Sequence, residues 1–491
     1  MTCNNTIKIA LFYVVSISFL LLNLWFVVKK DTLVINLMPF LLIILFFMIF
    51  SFDKIIYFIV FFSPLSLPLR EFMPSLNFDM YLPTEPFLFI VLVIFVMKMI
   101  HEKNFDKKIL VHPVSLTIYL YLFWTLITCF TSTMPVISFK FLLAKIWFIV
   151  ALYFIATKIF YNKGKMEQYI WLYIIPFILV VFYSIYRHIG YGLWDKEAAH
   201  FVVSPFYNDH TSYGAALAIY LPFVALFSFG RFYPVRLKAV SLTVLFIFLM
   251  AFILSYSRAA WVSMIIAVLF WFIIKLKIRF KTIILSMIFA FALFFTFKDN
   301  LLMRVEGNSA ESSSNLMEHV YSISNISSDA SNMERINRWS CAIRMFKEKP
   351  VIGYGPGTYM FKYAPWQLNR DRTIISTNAG DLGNAHSEYL GTLSESGIPG
   401  LITFLLIIIV VCYTAIKTYT RLDDSRMKSI LLAALTGLIT YYIHGFLNNF
   451  LDTDKLSVPF WGFTAMIVTI DIYSRQNSRK EKIQPFKKRV E

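Results

Sequence analysis

Apolar runs alternate along the chain with short polar turns, and most are about 17 to 25 residues long, the length of a helix crossing the hydrocarbon core of a bilayer. They fall near 7–28, 33–52, 54–69, 85–100, 113–131, 140–160, 167–187, 211–229, 237–255, 258–275, 280–297, 399–417, 428–446 and 457–474. The pattern predicts an all-α polytopic membrane protein with about fourteen spans. A count of about twelve follows if the third run, short and interrupted by Pro64 and Pro68, is a re-entrant hairpin. Between Lys298 and Pro399 about 100 residues are polar enough to leave the bilayer. The expected organisation is a helix bundle over 1–297, a large loop containing short helices over 298–398, further spans over 399–474 and a basic tail over 475–491.

Composition sharpens this. Of 491 residues 58% are hydrophobic and only 15% charged, against about a quarter charged in soluble domains, which excludes a soluble multi-domain enzyme. The net charge of +17 would raise the question of nucleic acid in a soluble chain, but here it follows the loops. With the N-terminus inside, Lys103, Lys107 and Lys108, Lys163 and Lys165, Arg231, Arg236 and Lys238, Lys275 to Lys281, Arg421 to Lys428 and the tail from Arg475 all fall on the cytoplasmic side, with Lys29 and Lys30 the main exception. The large loop then faces outward. Cys3, Cys129, Cys341 and Cys412 have no zinc spacing and make no disulfide framework. The first run is too long for a signal peptide's core and is read as a retained helix.

Within the loop, 307–332 is rich in Ser and Asn. Ser331 and Glu334 are spaced as a capping box, and Ile336, Trp339, Ile343 and Phe346 then repeat at helical spacing until Pro350. A second helix is expected from Asn384 as N-cap to Gly397, with a tight turn at Gly353, Gly355, Pro356 and Gly357 between the two. No paired acids, metal cluster or nucleophile triad stands out, and Asp423 and Asp424 read as a solvated cytoplasmic loop.

The chemistry on offer is cationic. Arg258 sits where one span ends and the next begins, opposing the positive end of a helix dipole, so either an anion is near or the side chain snorkels. Arg335, Arg338 and Arg344 share the loop helix, where each alone could be a solvated face. His386, placed in the first turn of the second helix, would be held neutral by the dipole and able to accept a proton. Asn208, Asp209, His210 and Tyr213 form either a binding edge or a helix cap, and Glu388 follows the histidine. Guanidinium groups with one neutral base at headgroup level suit a lipid-linked pyrophosphate.

Ser257-Arg258-Ala259-Ala260-Trp261, Arg335-x-x-x-Trp339, Pro350 to Gly357, Ala385-His386-Ser387-Glu388-Tyr389-Leu390 and Glu395-Ser396-Gly397-Ile398-Pro399-Gly400 resemble the O-antigen ligase and O-antigen polymerase superfamily over roughly 200–420. The resemblance implies an inverting membrane glycosyltransferase of the bacterial inner membrane, without metal or other cofactor. It would move a glycan from undecaprenyl pyrophosphate to an acceptor hydroxyl at the periplasmic face. Arg258 and Arg335 match the arginines expected to hold the pyrophosphate, with Arg338 competing for the second place, and His386 matches the expected base. Asn208, Asp209, His210, Tyr213 and Glu388 are further candidates for donor or acceptor contact. Ser387 stands where many relatives have Asn. The leading acceptor is lipid A core, as in a ligase. A second lipid-linked glycan, as in a polymerase, is the alternative, followed by a protein side chain. A lipid-linked glycan transporter is the rival class; it would use arginines deep in the spans and leave His386 without a task.

Overall fold

The apolar runs fold as helices, the form in which a segment satisfies its own backbone N–H and C=O groups where no water can. The computed structural model describes residues 2–30, 52–73, 80–102, 105–277, 330–373, 376–377 and 383–487. It divides into two compact units, 1–58 and 59–491. Helix α1 (Thr2–Lys30) lies in the first, and α2 (Phe52–Phe62) runs from it into the second. Then come α3 (Thr84–Glu102), α4 (Pro113–Phe130), α5 (Pro135–Ile159), α6 (Gly164–Tyr191), α7 (His210–Phe229), α8 (Val235–Leu254), α9 (Arg258–Lys275), α10 (Ala330–Glu348), α11 (Glu388–Arg421), α12 (Ser425–His444) and α13 (Asp454–Lys487).

Among the described residues ten helices, α3 to α9 and α11 to α13, are long and apolar enough to cross a membrane, so the chain is an all-α polytopic membrane protein. The expected spans at 33–52 and 280–297 fall outside the described residues, save Phe52. The run at 54–69 does not continue as a span. Its helix ends at Phe62, and Ser63 to Leu65 turn the chain into a two-residue strand, Leu67–Pro68, paired antiparallel with Tyr81–Leu82. This turn is pinned from α13: Lys455 Nζ donates to the carbonyls of Ser63 (2.6 Å) and Ser66 (2.7 Å). Asp454 Oδ2 accepts from the Ser66 and Thr84 hydroxyls, each at 2.6 Å.

The centre is α7, α12 and α13, of whose spanning cores 78, 83 and 94% is buried, against 28% for the peripheral α9. Helix α7 packs on α8 and α12, α9 on α12, and α4 on α11. The basic loops gather at one end. Lys163 pairs with Asp424 at 3.1 Å and Arg426 with Glu167 at 2.6 Å, while the buried Asp471 takes His112 (3.1 Å), Arg421 (3.2 Å) and Arg475 (2.7 Å). That leaves the polar segments around 200–209, 255–258, 330–387 and 445–453 at the opposite end.

Candidate functional site

Arg258 is placed by a reversal between α8 and α9. Tyr256 takes a left-handed backbone (φ 48°), uncommon for a bulky residue, and Ser257 caps α9 by accepting from Ala260 N at 3.4 Å, so Arg258 is the first helical residue. Gly214 brings α7 against this turn: a Cβ there would lie 2.7 Å from Ser257 Cβ. Asp209 caps α7, its Oδ1 accepting from Thr211 N (3.0 Å), Ser212 N (2.8 Å) and the Thr211 hydroxyl (2.8 Å). Burial pushes this carboxyl up, but those donors and His210 outweigh it and hold it below the usual carboxylate range. The neighbouring candidates separate. Asn208 Oδ1 accepts from Tyr81 OH at 3.0 Å, and the Tyr213 ring packs on Tyr207 and Phe177 inside the bundle. The His210 ring stands edge-on to His200 at 4.0 Å, within the electrostatic reach of Arg258 and Arg335.

Helix α10 differs from its sequence pattern. The described helix begins at Ala330 and so already includes Ser331, and the Glu334 carboxylate turns to its own helix and to the loop. Arg338 Nε donates to Glu334 Oε1 at 2.5 Å, and Ser376 and Asn337 donate to the other oxygen. Burial raises the Glu334 carboxyl, yet the Ser376 hydroxyl and Arg338 hold it low. The buried face is Glu334, Asn337, Arg338, Cys341, Ala342 and Met345, whereas Ile343 of the expected apolar stripe is 40% exposed. The reason is the partner: the loop sets the Gln367, Ser376 and Thr377 side chains against Asn337, Glu334 and Arg338, and Tyr359 OH donates to the Arg338 carbonyl. Arg338 lies 3.9 Å over the Tyr363 ring and donates to the Thr377 hydroxyl. Arg344 pairs with Asp371 at 2.8 Å.

Arg335 shares a face with Trp339, one turn on, whose indole N–H donates to the His386 carbonyl at 3.1 Å. The histidine is not in a helical first turn. Ser387, in extended backbone, is the N-cap and accepts from Leu390 N at 3.3 Å, while Asn384 Oδ1 accepts from His386 N at 3.0 Å. His386 itself is left-handed (φ 48°). Its imidazole is pushed down to about 4, first by burial and then by Arg335 and Arg338, with Asp209 and Glu334 opposing. The imidazole is thereby kept neutral near neutral pH, and desolvation and guanidinium charge, not a helix dipole, are the cause.

Glu388 has a structural task. Its Oε1 accepts from Tyr441 OH (2.6 Å), Phe450 N (2.8 Å) and Leu451 N (2.9 Å), and its own N–H donates to Gly445 O at 2.8 Å. The glycine turn latches the same helix from the other side, with Tyr354 N on Ser394 O (3.1 Å), Gly355 N on Glu395 O (2.8 Å) and Ile398 N on Pro350 O (2.9 Å). At Gly397 (φ 67°) the helix breaks, where the sequence predicts its stop, and a Cβ there would lie 2.1 Å from Val351 O. Residues 388–396 thus cap the site and the chain continues as a span.

The fold brings Arg258, Arg335, Asp209, His210 and His386 into one electrostatic environment and adds residues not found from sequence. These are His200 and His444, the latter accepting at Nε2 from Asn448 at 3.1 Å in the assigned tautomer. Each comes singly from a distant element, so no spacing marks it; a histidine closing an apolar span was the one available sign. Among the described residues no three His, Cys, Asp or Glu side chains gather as metal ligands.

Residues 242–405 match the Wzy_C family model, described as O-Antigen ligase. The matched stretch contains Arg258, Arg335, Arg338 and His386 and stops short of His444. Comparison with curated proteins gave no match. The matched stretch encloses both arginines and the histidine, so the family match over 242–405 supports an O-antigen ligase-like domain in this part of the chain.

Proposed function

We propose that the protein transfers a glycan from undecaprenyl pyrophosphate to an acceptor hydroxyl, in the bacterial inner membrane with the site facing the periplasm. The observation that carries this is that Trp339, one turn on from Arg335, holds the His386 carbonyl at 3.1 Å inside the stretch matching the O-antigen ligase family, with Arg335 and burial keeping the imidazole neutral. The acceptor oxygen attacks the anomeric carbon from the face opposite the pyrophosphate, so the glycosidic bond forms as the sugar–phosphate bond breaks, with inversion. His386 takes the acceptor proton, and Arg258 and Arg335 stabilise the charge collecting on the leaving diphosphate. The step needs no metal, because the guanidinium groups supply the charge. A transporter would leave His386 idle and would place arginines deep in the spans, whereas Arg258 opens its helix at the membrane boundary.

Lipid A core is the leading acceptor, which makes the protein a ligase; the many spans favour a polymerase as the second reading. Purified protein incubated with the lipid-linked donor and EDTA, with and without core acceptor, tests both. Product only with core supports the ligase, and a ladder of longer lipid-linked chains without it supports the polymerase. His386→Ala is expected to abolish transfer and retain donor binding; turnover in this variant would remove the base assignment.

A further inference from the structure

Three spans end together at the basic end of the bundle, away from Arg258 and His386. Helix α4 begins at Pro113, α11 ends at Arg421, and the apolar part of α13 ends at Gln476. Between these ends lies a cleft of about 510 Å³, a size that holds a small molecule. The ends of spans mark the level of the lipid headgroups, so the cleft opens there.

Lys108, Lys417, Arg421 and Arg475 line it, and among the described residues no carboxylate does. The nearest acid in space is Asp471, 1% exposed, and its oxygens are already engaged. Oδ1 accepts from the Thr418 hydroxyl (2.8 Å) and Arg421 Nη1 (3.2 Å), and Oδ2 meets Arg475 Nε (2.7 Å) and His112 Nε2 (3.1 Å). One buried carboxylate thus fixes two guanidinium groups from different helices, each through one nitrogen. A guanidinium carries five N–H donors, so both keep donors for a second anion. Asp106, two residues before Lys108, is turned to Lys108 N (2.8 Å) and Tyr161 OH (2.6 Å). Four cations against the single Asp471 leave a formal charge of +3 at the cleft.

Fixed guanidinium groups with lysines around them suit a phosphodiester. Val111, Pro113 and Ile472 on the same walls suit the apolar part of the molecule that carries it. We propose that this cleft binds the headgroup of an anionic phospholipid from the leaflet at that end, with Arg421 and Arg475 on the phosphodiester and Lys108 and Lys417 as the outer charges. The lipid would join the ends of α4, α11 and α13. The site is independent of the reaction proposed above, from which it is separated by the length of α11 beyond Gly397, about 36 Å.

The test uses full-length protein in detergent, titrated with phosphatidylglycerol or phosphatidylcholine and read by native mass spectrometry. Phosphatidylglycerol is expected to bind at least tenfold more tightly. Lys108 and Lys417 are exposed and stand outside the Asp471 cluster, so Lys108→Gln with Lys417→Gln removes charge and leaves that cluster intact. This pair should weaken phosphatidylglycerol roughly thirtyfold and leave phosphatidylcholine within twofold. Arg231→Gln with Arg236→Gln removes the same charge from the exposed loop between α7 and α8 and should change either lipid less than threefold. Equal affinity for the two lipids, or equal losses in the two double variants, overturns the proposal. Displacement of bound phosphatidylglycerol by glycerol 3-phosphate at the same concentration would make this a site for a soluble phosphate and overturn the lipid assignment.

Discussion

Arg335 and Arg338 lie three residues apart on α10; the fold builds Arg338 into an ion pair, the proposed function gives Arg335 to the donor, and exchanging each for Met separates the two roles. Arg338 is 3% exposed, bonded at 2.5 Å to a Glu334 that is itself 6% exposed, and stacked 3.9 Å over Tyr363. Arg338→Met leaves the Glu334 carboxylate buried without its cation, a loss of about 3–5 kcal/mol. Amide exchange across 334–346 should then quicken by roughly a hundred- to several-thousand-fold. Arg335 is partly exposed on the Trp339 face where Arg338 is buried, so Arg335→Met should quicken exchange at least about tenfold less than Arg338→Met. It removes one guanidinium–phosphate contact of about 1.5–3 kcal/mol, weakening donor binding by roughly 10- to 150-fold. Exchange by mass spectrometry and donor binding on the same preparations read both. Equal loosening in the two variants, or unchanged exchange in Arg338→Met, would refute the division of labour.

Three further outcomes follow from the same geometry. The folded imidazole of His386 titrates at about 4, whereas an unfolded one takes its proton near 6.5. Its contribution to stability therefore shrinks as pH falls from about 6.5 towards 4, while the base stays neutral; transfer measured between pH 5 and 8 should show no inflection from this group near 6.5, and one that vanishes in a His386 variant would contradict the burial argument. Gly397→Ala places a Cβ 2.1 Å from Val351 O at φ 67°, so thermal unfolding should show a loss of about 2 kcal/mol or more, and a stable variant would mean the latch is loose. Trp339→Phe removes the 3.1 Å bond to the His386 carbonyl and should lower kcat several-fold with donor KM unchanged; an equal rise in KM would assign Trp339 to the donor instead.

What the sequence makes legible follows physical range. Ten of the expected spans, the Gly397 stop and the run of glycines at 353–357 are local consequences of hydrophobicity and backbone sterics, and they hold among the described residues, whereas the run at 54–69 does not. The buried face of α10 was not legible, because a helix carrying a Glu–Arg pair against the polar side chains of Gln367, Ser376 and Thr377 buries polar residues, and hydrophobic periodicity points to the wrong side. Asn384 and Ser387 are both sound N-caps by type. The choice of Ser387 depends on Glu388 reaching Gly445, Phe450 and Leu451, more than fifty residues away. The histidines at 200 and 444 join the site only through helix packing.

The clamp on Glu388 also orders events during synthesis. A chain emerging from the ribosome inserts its helices from the N-terminus onward, so the arginines and the histidine are all translated before Phe450 and Leu451 exist to hold Glu388 in place. Until the final hairpin of α12 and α13 enters the bilayer, the stretch carrying His386 lacks this anchor. A half-made copy thus holds this stretch through Trp339 and the glycine latch alone, and gains its second anchor only when the 450–451 loop is made.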